Sequence, residues 1–104
     1  MIPLLMLFIP FLMVDETAAG GAAPFKDLND KDLISLMRRV VIEQNKKNNT
    51  KIKFVKVLEM TSQIVSGTIW EGKIKTSGGI YQVRVWEKLL NNEFEIEEFK
   101  KIKA

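Results

Sequence analysis

Glu97 and Glu98 stand side by side, the spacing at which two carboxylates could serve as a general acid and a general base. In a strand, neighbouring side chains leave opposite faces, so this pair does not converge on one reacting atom and is assigned to the surface. The chain has no cysteine and no histidine, which removes thiolate and imidazole nucleophiles, the usual neutral-pH base and the usual zinc ligands. No enzyme, cofactor or metal is expected. What remains is the chemistry of binding, and its candidates are three short stretches: Gly20-Gly21, the run QIVSG at Gln63, Ile64, Val65, Ser66 and Gly67, and Leu89-Leu90 followed by Asn91-Asn92. Glycine lets a backbone approach a partner closely, and exposed aliphatic side chains beside it offer apolar contact.

The elements that would position these stretches follow from periodicity. Leu33, Leu36, Met37, Val40 and Val41 recur at helical spacing, with Asn29 or Asp30 as the cap, Asp32 in the first turn and Lys46-Lys47 near the end. The pattern predicts a helix of about four turns that the polar run Asn45 to Thr50 brings to a close. From Lys51 the period shifts towards two through Ile52, Phe54 and Val57, while Val55 and Leu58 break the alternation and mark a candidate bulge. Further strands are expected at 68–76, 80–88 and 94–102. Ser77-Gly78-Gly79 forms the tight turn between the first two of these. The fold class is therefore α+β: one helix against a curled antiparallel sheet of four to five strands. Because each strand of a meander reverses direction, QIVSG and Leu89-Leu90 fall at the same end of the sheet. Gly20-Gly21-Ala22-Ala23-Pro24 is expected to be an extended, mobile arm, and periodicity does not say which end it reaches. Trp70 and Trp86 fall mid-strand and are read as packing residues.

Residues 1–14, MIPLLMLFIPFLMV, carry no charged side chain and are interrupted by Pro3 and Pro10. With Thr17, Ala18 and Ala19 behind them they read as a signal peptide over residues 1–19 ahead of a single domain at 20–104. The other reading of this run is a membrane tether. Removing 1–19 takes away Asp15 and Glu16 and leaves sixteen cationic against eleven anionic side chains, about +5. The lysines are dispersed along strand positions, so neither nucleic acid nor, after cleavage, a membrane is an expected partner. Without cysteine, a secreted product folds on its hydrophobic core alone. The expected localisation is the secretory pathway, ending in a vacuole or the extracellular space. Asn48-Asn49-Thr50 is a glycosylation sequon, with Asn48 as acceptor, or else a solvated turn.

Taken alone, QIVSG describes a strand-to-strand connection. Together with its flanks it is similar to the cystatin family, and most closely to the plant cystatins, over nearly all of the chain after the leader. Gln63, Val65 and Gly67 fill the Q-x-V-x-G pattern. Gly20 and Gly21 ahead of Pro24 and Asp27 resemble the family's N-terminal trunk. Leu36 with Glu43-Gln44-Asn45 follows part of the plant helix signature, and VWEK at 85–88 and EEFK at 97–100 resemble plant members in wording and spacing. The sequence departs from the pattern at Arg39-Val40, where an aromatic and a small residue are usual, and at Leu89-Leu90, where Pro-Trp is usual.

The resemblance implies a reversible, non-covalent inhibitor of papain-like cysteine proteases, without enzymatic activity of its own. It implies a wedge made from the arm and two hairpin loops, with Gly20, Gly21, Gln63, Ile64, Val65, Ser66, Gly67, Leu89 and Leu90 as protease contacts and Gln63 hydrogen-bonding across the base of its turn. Leucine keeps only part of a tryptophan's contact, so affinity about tenfold below that of a Pro-Trp loop is expected. The alternative is a cystatin-fold binding protein with weak or no inhibition. A monomer is expected, with domain swapping through the QIVSG hinge as the other state.

Overall fold

In the computed structural model, residues 21–90 and 92–104 are described. The signal peptide expected at 1–19, Gly20 and Asn91 lie outside them. Strand β1 (Ala23–Pro24) leads into helix α1 (Lys31–Asn48), then β2 (Phe54–Val65), β3 (Gly67–Thr76), β4 (Gly79–Glu87) and β5 (Phe94–Lys103). The five strands form one antiparallel sheet in chain order, the α+β architecture that the periodicity and the resemblance both imply.

Asp30 caps α1 by accepting the Leu33 N–H through its carboxylate at 3.0 Å. The helix runs for 18 residues, about five turns and one more than the polar run at Asn45 suggests. It ends at Asn49, whose left-handed φ of 55° and N–H to the Asn45 carbonyl close the last turn. The Asn45 side chain accepts from Thr50 Oγ1 (2.8 Å) and the Ile52 N–H (3.2 Å) and donates to the Ile52 carbonyl (2.8 Å), turning the chain into β2.

Leu33, Leu36, Met37, Val40 and Val41 are all buried, packed on Val57 and Met60 of β2, Ile74 of β3, and Val83 and Val85 of β4. Phe25, Trp70, Tyr81, Phe94, Ile96 and Phe99 surround this core. Strand β2 begins at Phe54 rather than Lys51, and its pairing with β3 shifts register between Phe54 and Lys56 and between Val57 and Glu59. Val55 and Leu58, the two residues that break the alternation, are the ones passed over, and such bulges add twist that lets a sheet wrap a helix. Strand β5 shifts register twice against β4, leaving Ile102 and Glu97 as the extra residues.

At the end away from QIVSG, Thr76 pairs with Gly79 across Ser77-Gly78, and Gly79 takes a φ of 124° that side chains disfavour. The Ser77 N–H reaches the Lys53 carbonyl at 2.8 Å, and its hydroxyl accepts the Lys53 N–H at 2.9 Å. This end is therefore tied to the helix-to-strand connection, and the opposite end carries the free turns.

Candidate functional site

The QIVSG stretch is more strand than loop. Gln63, Ile64 and Val65 pair with Ile69, Thr68 and Gly67, so the chain reverses at Ser66 alone. A one-residue reversal needs unusual backbone, and Gly67 supplies it with a φ of 101°. A second constraint acts there: a Cβ built on Gly67 overlaps the Glu87 carbonyl oxygen and lies 3.2 Å from Lys88 Cα. The first turn thus rests on the backbone from which the second departs. Gln63 pairs with Ile69 across the base of the turn. The bond that reaches the tip comes from Trp86, whose indole Nε1 donates to the Ser66 carbonyl at 2.7 Å.

The second turn, 88–93, joins β4 to β5 at the same end. Its base is closed by the Lys88 N–H on the Glu93 carbonyl, 2.9 Å. Leu89 and Leu90 project from it, 73% and 74% exposed, beside Ile64 at 70% and Val65 at 42%. At these exposures neither leucine turns into the core. Ser66, Trp86, Lys88, Leu89, Leu90 and Glu93 line a shallow hollow of about 400 Å³ between the turns, so the two stretches form one continuous edge.

The arm is pinned where it meets the sheet. Ala23 pairs with Ser62 and Pro24 with Thr61, the Phe25 N–H reaches the Met60 carbonyl at 2.9 Å, and the Phe25 ring stands edge-on to Trp70 at 4.9 Å. Its last residues are therefore extended, as expected for the arm, but paired to β2 as a short strand where a mobile segment was expected. Because β1 runs antiparallel to β2, the chain before Ala23 heads along Gln63 and Ile64 towards the Ser66 tip, and exposed Gly21 and Ala22 lie on that path. Periodicity leaves the arm's direction open; the described residues head towards the end that bears both turns.

Sequence reasoning missed three contributors. Trp86, read as packing, holds the first turn. Glu87 holds Trp70, accepting its Nε1–H at 2.9 Å. Arg39 reaches the second turn, its Nη2 donating to the Asn92 carbonyl at 2.6 Å. The residues themselves stand in the sequence, but their partners lie 17 to 53 residues away, and only the sheet register and the placement of α1 bring them together. Glu97 accepts from Arg84 Nε at 2.8 Å, and Arg84 also contacts Glu71 at 3.1 Å, so the carboxylate read as surface belongs to an ion-pair ladder. Among the described residues no group of three or more acidic, histidine or cysteine side chains could hold a metal.

Residues 25–102 match a family model described as aspartic acid proteinase inhibitor. The chain is 36% identical over 89 residues to a cysteine proteinase inhibitor 1 of Oryza sativa subsp. japonica, covering 82% of this chain and 64% of the rice protein. It is 34% identical over 97 residues to cystatin-1 of Zea mays, covering 86% of this chain and 72% of the relative. With a cysteine proteinase inhibitor of Hordeum vulgare it shares 34% over 87 residues, 78% and 81% of the two chains.

Proposed function

The chain belongs to the cystatin family of proteinase inhibitors, which are not enzymes, and from that premise we propose that it is a secreted, reversible, non-covalent inhibitor of papain-like cysteine proteases. The observation that carries this reading is the edge at one end of the sheet. Two turns present Ile64, Val65, Leu89 and Leu90 to solvent within reach of one cleft, and the described part of the arm, Gly21 and Ala22 ahead of β1, heads towards the same end. A cleft that binds extended substrate meets here a chain that reverses at Ser66, so no peptide bond is offered in attack geometry. Binding is by contact alone, and release leaves both partners unchanged. The turns are held by hydrogen bonds in the free protein, which lowers the ordering cost of association. The uncharged run at residues 1–14 supports secretion, with the domain at 20–104 as the mature form, acting as a monomer.

One observation favours a second target class: the matching family model is described as an inhibitor of aspartic acid proteinases. Titrating papain and pepsin separately with the purified protein decides between the two. Stoichiometric, dilution-reversible loss of papain activity is the expected result. Loss of pepsin activity alone moves the target to aspartic proteinases, and full activity of both at high micromolar inhibitor leaves the edge as a binding surface for another partner.

A further inference from the structure

Arg39 lies on the exposed side of α1, and through space it ends at the second turn. Its Nη2 donates a 2.6 Å hydrogen bond to the Asn92 carbonyl, and its guanidinium carbon sits 4.9 Å from the centroid of the Phe94 ring. Asn92 has a φ of 51°, a left-handed conformation that asparagine tolerates better than most residues. Among the described residues, two hydrogen bonds onto backbone oxygens hold the turn at 88–93. One is internal, from the Lys88 N–H to the Glu93 carbonyl; the other is to the helix, through Arg39.

The second attachment is consequential because of what the turn carries. Leu89 and Leu90 are about three-quarters exposed, and neither restricts its own backbone as a proline does. A turn free to explore other conformations has to be ordered when a partner binds, at a cost in entropy for each residue fixed. Arginine is suited to holding such a turn, because its planar guanidinium can donate in its plane while its face lies over an aromatic ring, and a lysine ammonium lacks that plane. The structure thus connects Arg39 with the turn that carries Leu89-Leu90, 53 residues away in sequence at the Asn92 carbonyl.

We infer that Arg39 is a positioning residue for the second turn, holding Leu89-Leu90 in a preordered presentation and thereby setting how tightly the edge grips a protease. The effect on affinity rests on the reading of that edge as the inhibitory surface, whereas the holding of the turn does not. Two measurements keep them apart. Backbone ¹⁵N relaxation and amide exchange across residues 88–93 are compared in the wild-type protein, Arg39→Ala and Arg39→Lys. Order at Leu89 and Leu90 is expected to fall and exchange of the Lys88 amide to quicken about tenfold in Arg39→Ala, with partial recovery in Arg39→Lys and little change in the melting temperature.

The inhibition constant is then measured against whichever of papain or pepsin the wild type inhibits. Arg39→Ala is expected to raise it five- to tenfold in the native background and less than twofold when Leu89 and Leu90 are both alanine, since the clamp acts through those side chains. Unchanged turn dynamics overturn the inference outright. An equal loss in both backgrounds overturns it as well, because Arg39 would then be acting by direct contact. A wild type that inhibits neither enzyme refutes the functional premise, and the relaxation data still decide whether Arg39 holds the turn.

Discussion

Replacing Gly67 by alanine tests the central geometry. The added methyl enters at a φ of 101° and overlaps the Glu87 carbonyl oxygen, so two penalties arise together. Backbone strain at a positive φ costs about 1–3 kcal/mol, and forcing an extra carbon against backbone costs about 1–3 kcal/mol more. Backbone on both sides prevents a small rotamer change from relieving the contact. The tip can escape by peeling away from β4, which forfeits the Trp86–Ser66 hydrogen bond, about 1 kcal/mol, and the terminal pairing of Thr68 with Glu87. Peeling therefore caps the packing share of the loss at about 2 kcal/mol, and with the strain at position 67 the total is about 3–5 kcal/mol, a fall in melting temperature of roughly 12–40 °C for a domain of this size. The displaced tip no longer lies beside Leu89 and Leu90, so the inhibition constant should rise by at least about tenfold, corresponding to 1.4 kcal/mol. Thermal melts and titration of the protease measure the two effects separately, with Ser66→Ala as the control because only its carbonyl is used at the tip. A Gly67→Ala protein that melts within about 2 °C of wild type and inhibits equally well refutes the reasoning. A lower melting temperature with unchanged inhibition refutes the role of the tip in binding and leaves the packing argument standing.

Introducing Leu89→Pro with Leu90→Trp should tighten inhibition of papain about tenfold, because tryptophan provides a larger and stiffer contact; an unchanged inhibition constant rejects this. Met37, fully buried beneath the sheet, should cost about 2–5 kcal/mol when cut to alanine, read as a shifted denaturant midpoint with the binding edge intact. Expression through a eukaryotic secretory pathway should add a glycan at Asn48, exposed at the last helical turn, and Asn48→Gln should remove the mass shift without altering inhibition. The sheet carries a hairpin whose apex is a single residue, and in a sizing column the protein should run as a monomer; a stable dimer would mark exchange of the β1–α1–β2 half between copies.

Where burial follows a short period, the sequence shows it. Five helix positions at 3.6-residue spacing are the five that α1 buries, and Val55 and Leu58 interrupt a period of two at the residues where β2 slips register. The second half of β2 was harder to read because Thr61, Ser62 and Gln63 are half-buried in succession: the arm covers one edge there and the faces no longer differ cleanly in polarity. Pro24 has no N–H to donate, yet the carbonyls of its strand and the N–H of Phe25 still join it to β2. The site divides in the same way. Gln63, Val65 and Gly67 are legible as a pattern, but the reason that position 67 must be glycine is the Glu87 carbonyl, twenty residues on. Trp86 and Arg39 were invisible as site residues because their roles depend on how strand register and helix placement bring distant carbonyls within reach.

Those carbonyls suggest how the edge separates holding from contacting. The groups that fix the turns are the Trp86 indole on Ser66, the Arg39 guanidinium on Asn92 and the Lys88 amide on Glu93, and each acts on a backbone oxygen. Such a bond is indifferent to the side chain of the residue that accepts it. Ile64, Val65, Leu89 and Leu90 are not among the donors, and being exposed they contribute little to the core. Substitutions at exposed positions without such duties usually change stability by no more than about 0.5 kcal/mol, whereas the same side chains, buried against a partner, are each worth about 1.5–3 kcal/mol. Affinity at this edge is therefore free to vary over orders of magnitude with almost no consequence for the fold. A Leu-Leu turn in place of Pro-Trp is a change of that kind, and its requirement for external support falls on Arg39, a residue on another element that meets the turn at its backbone.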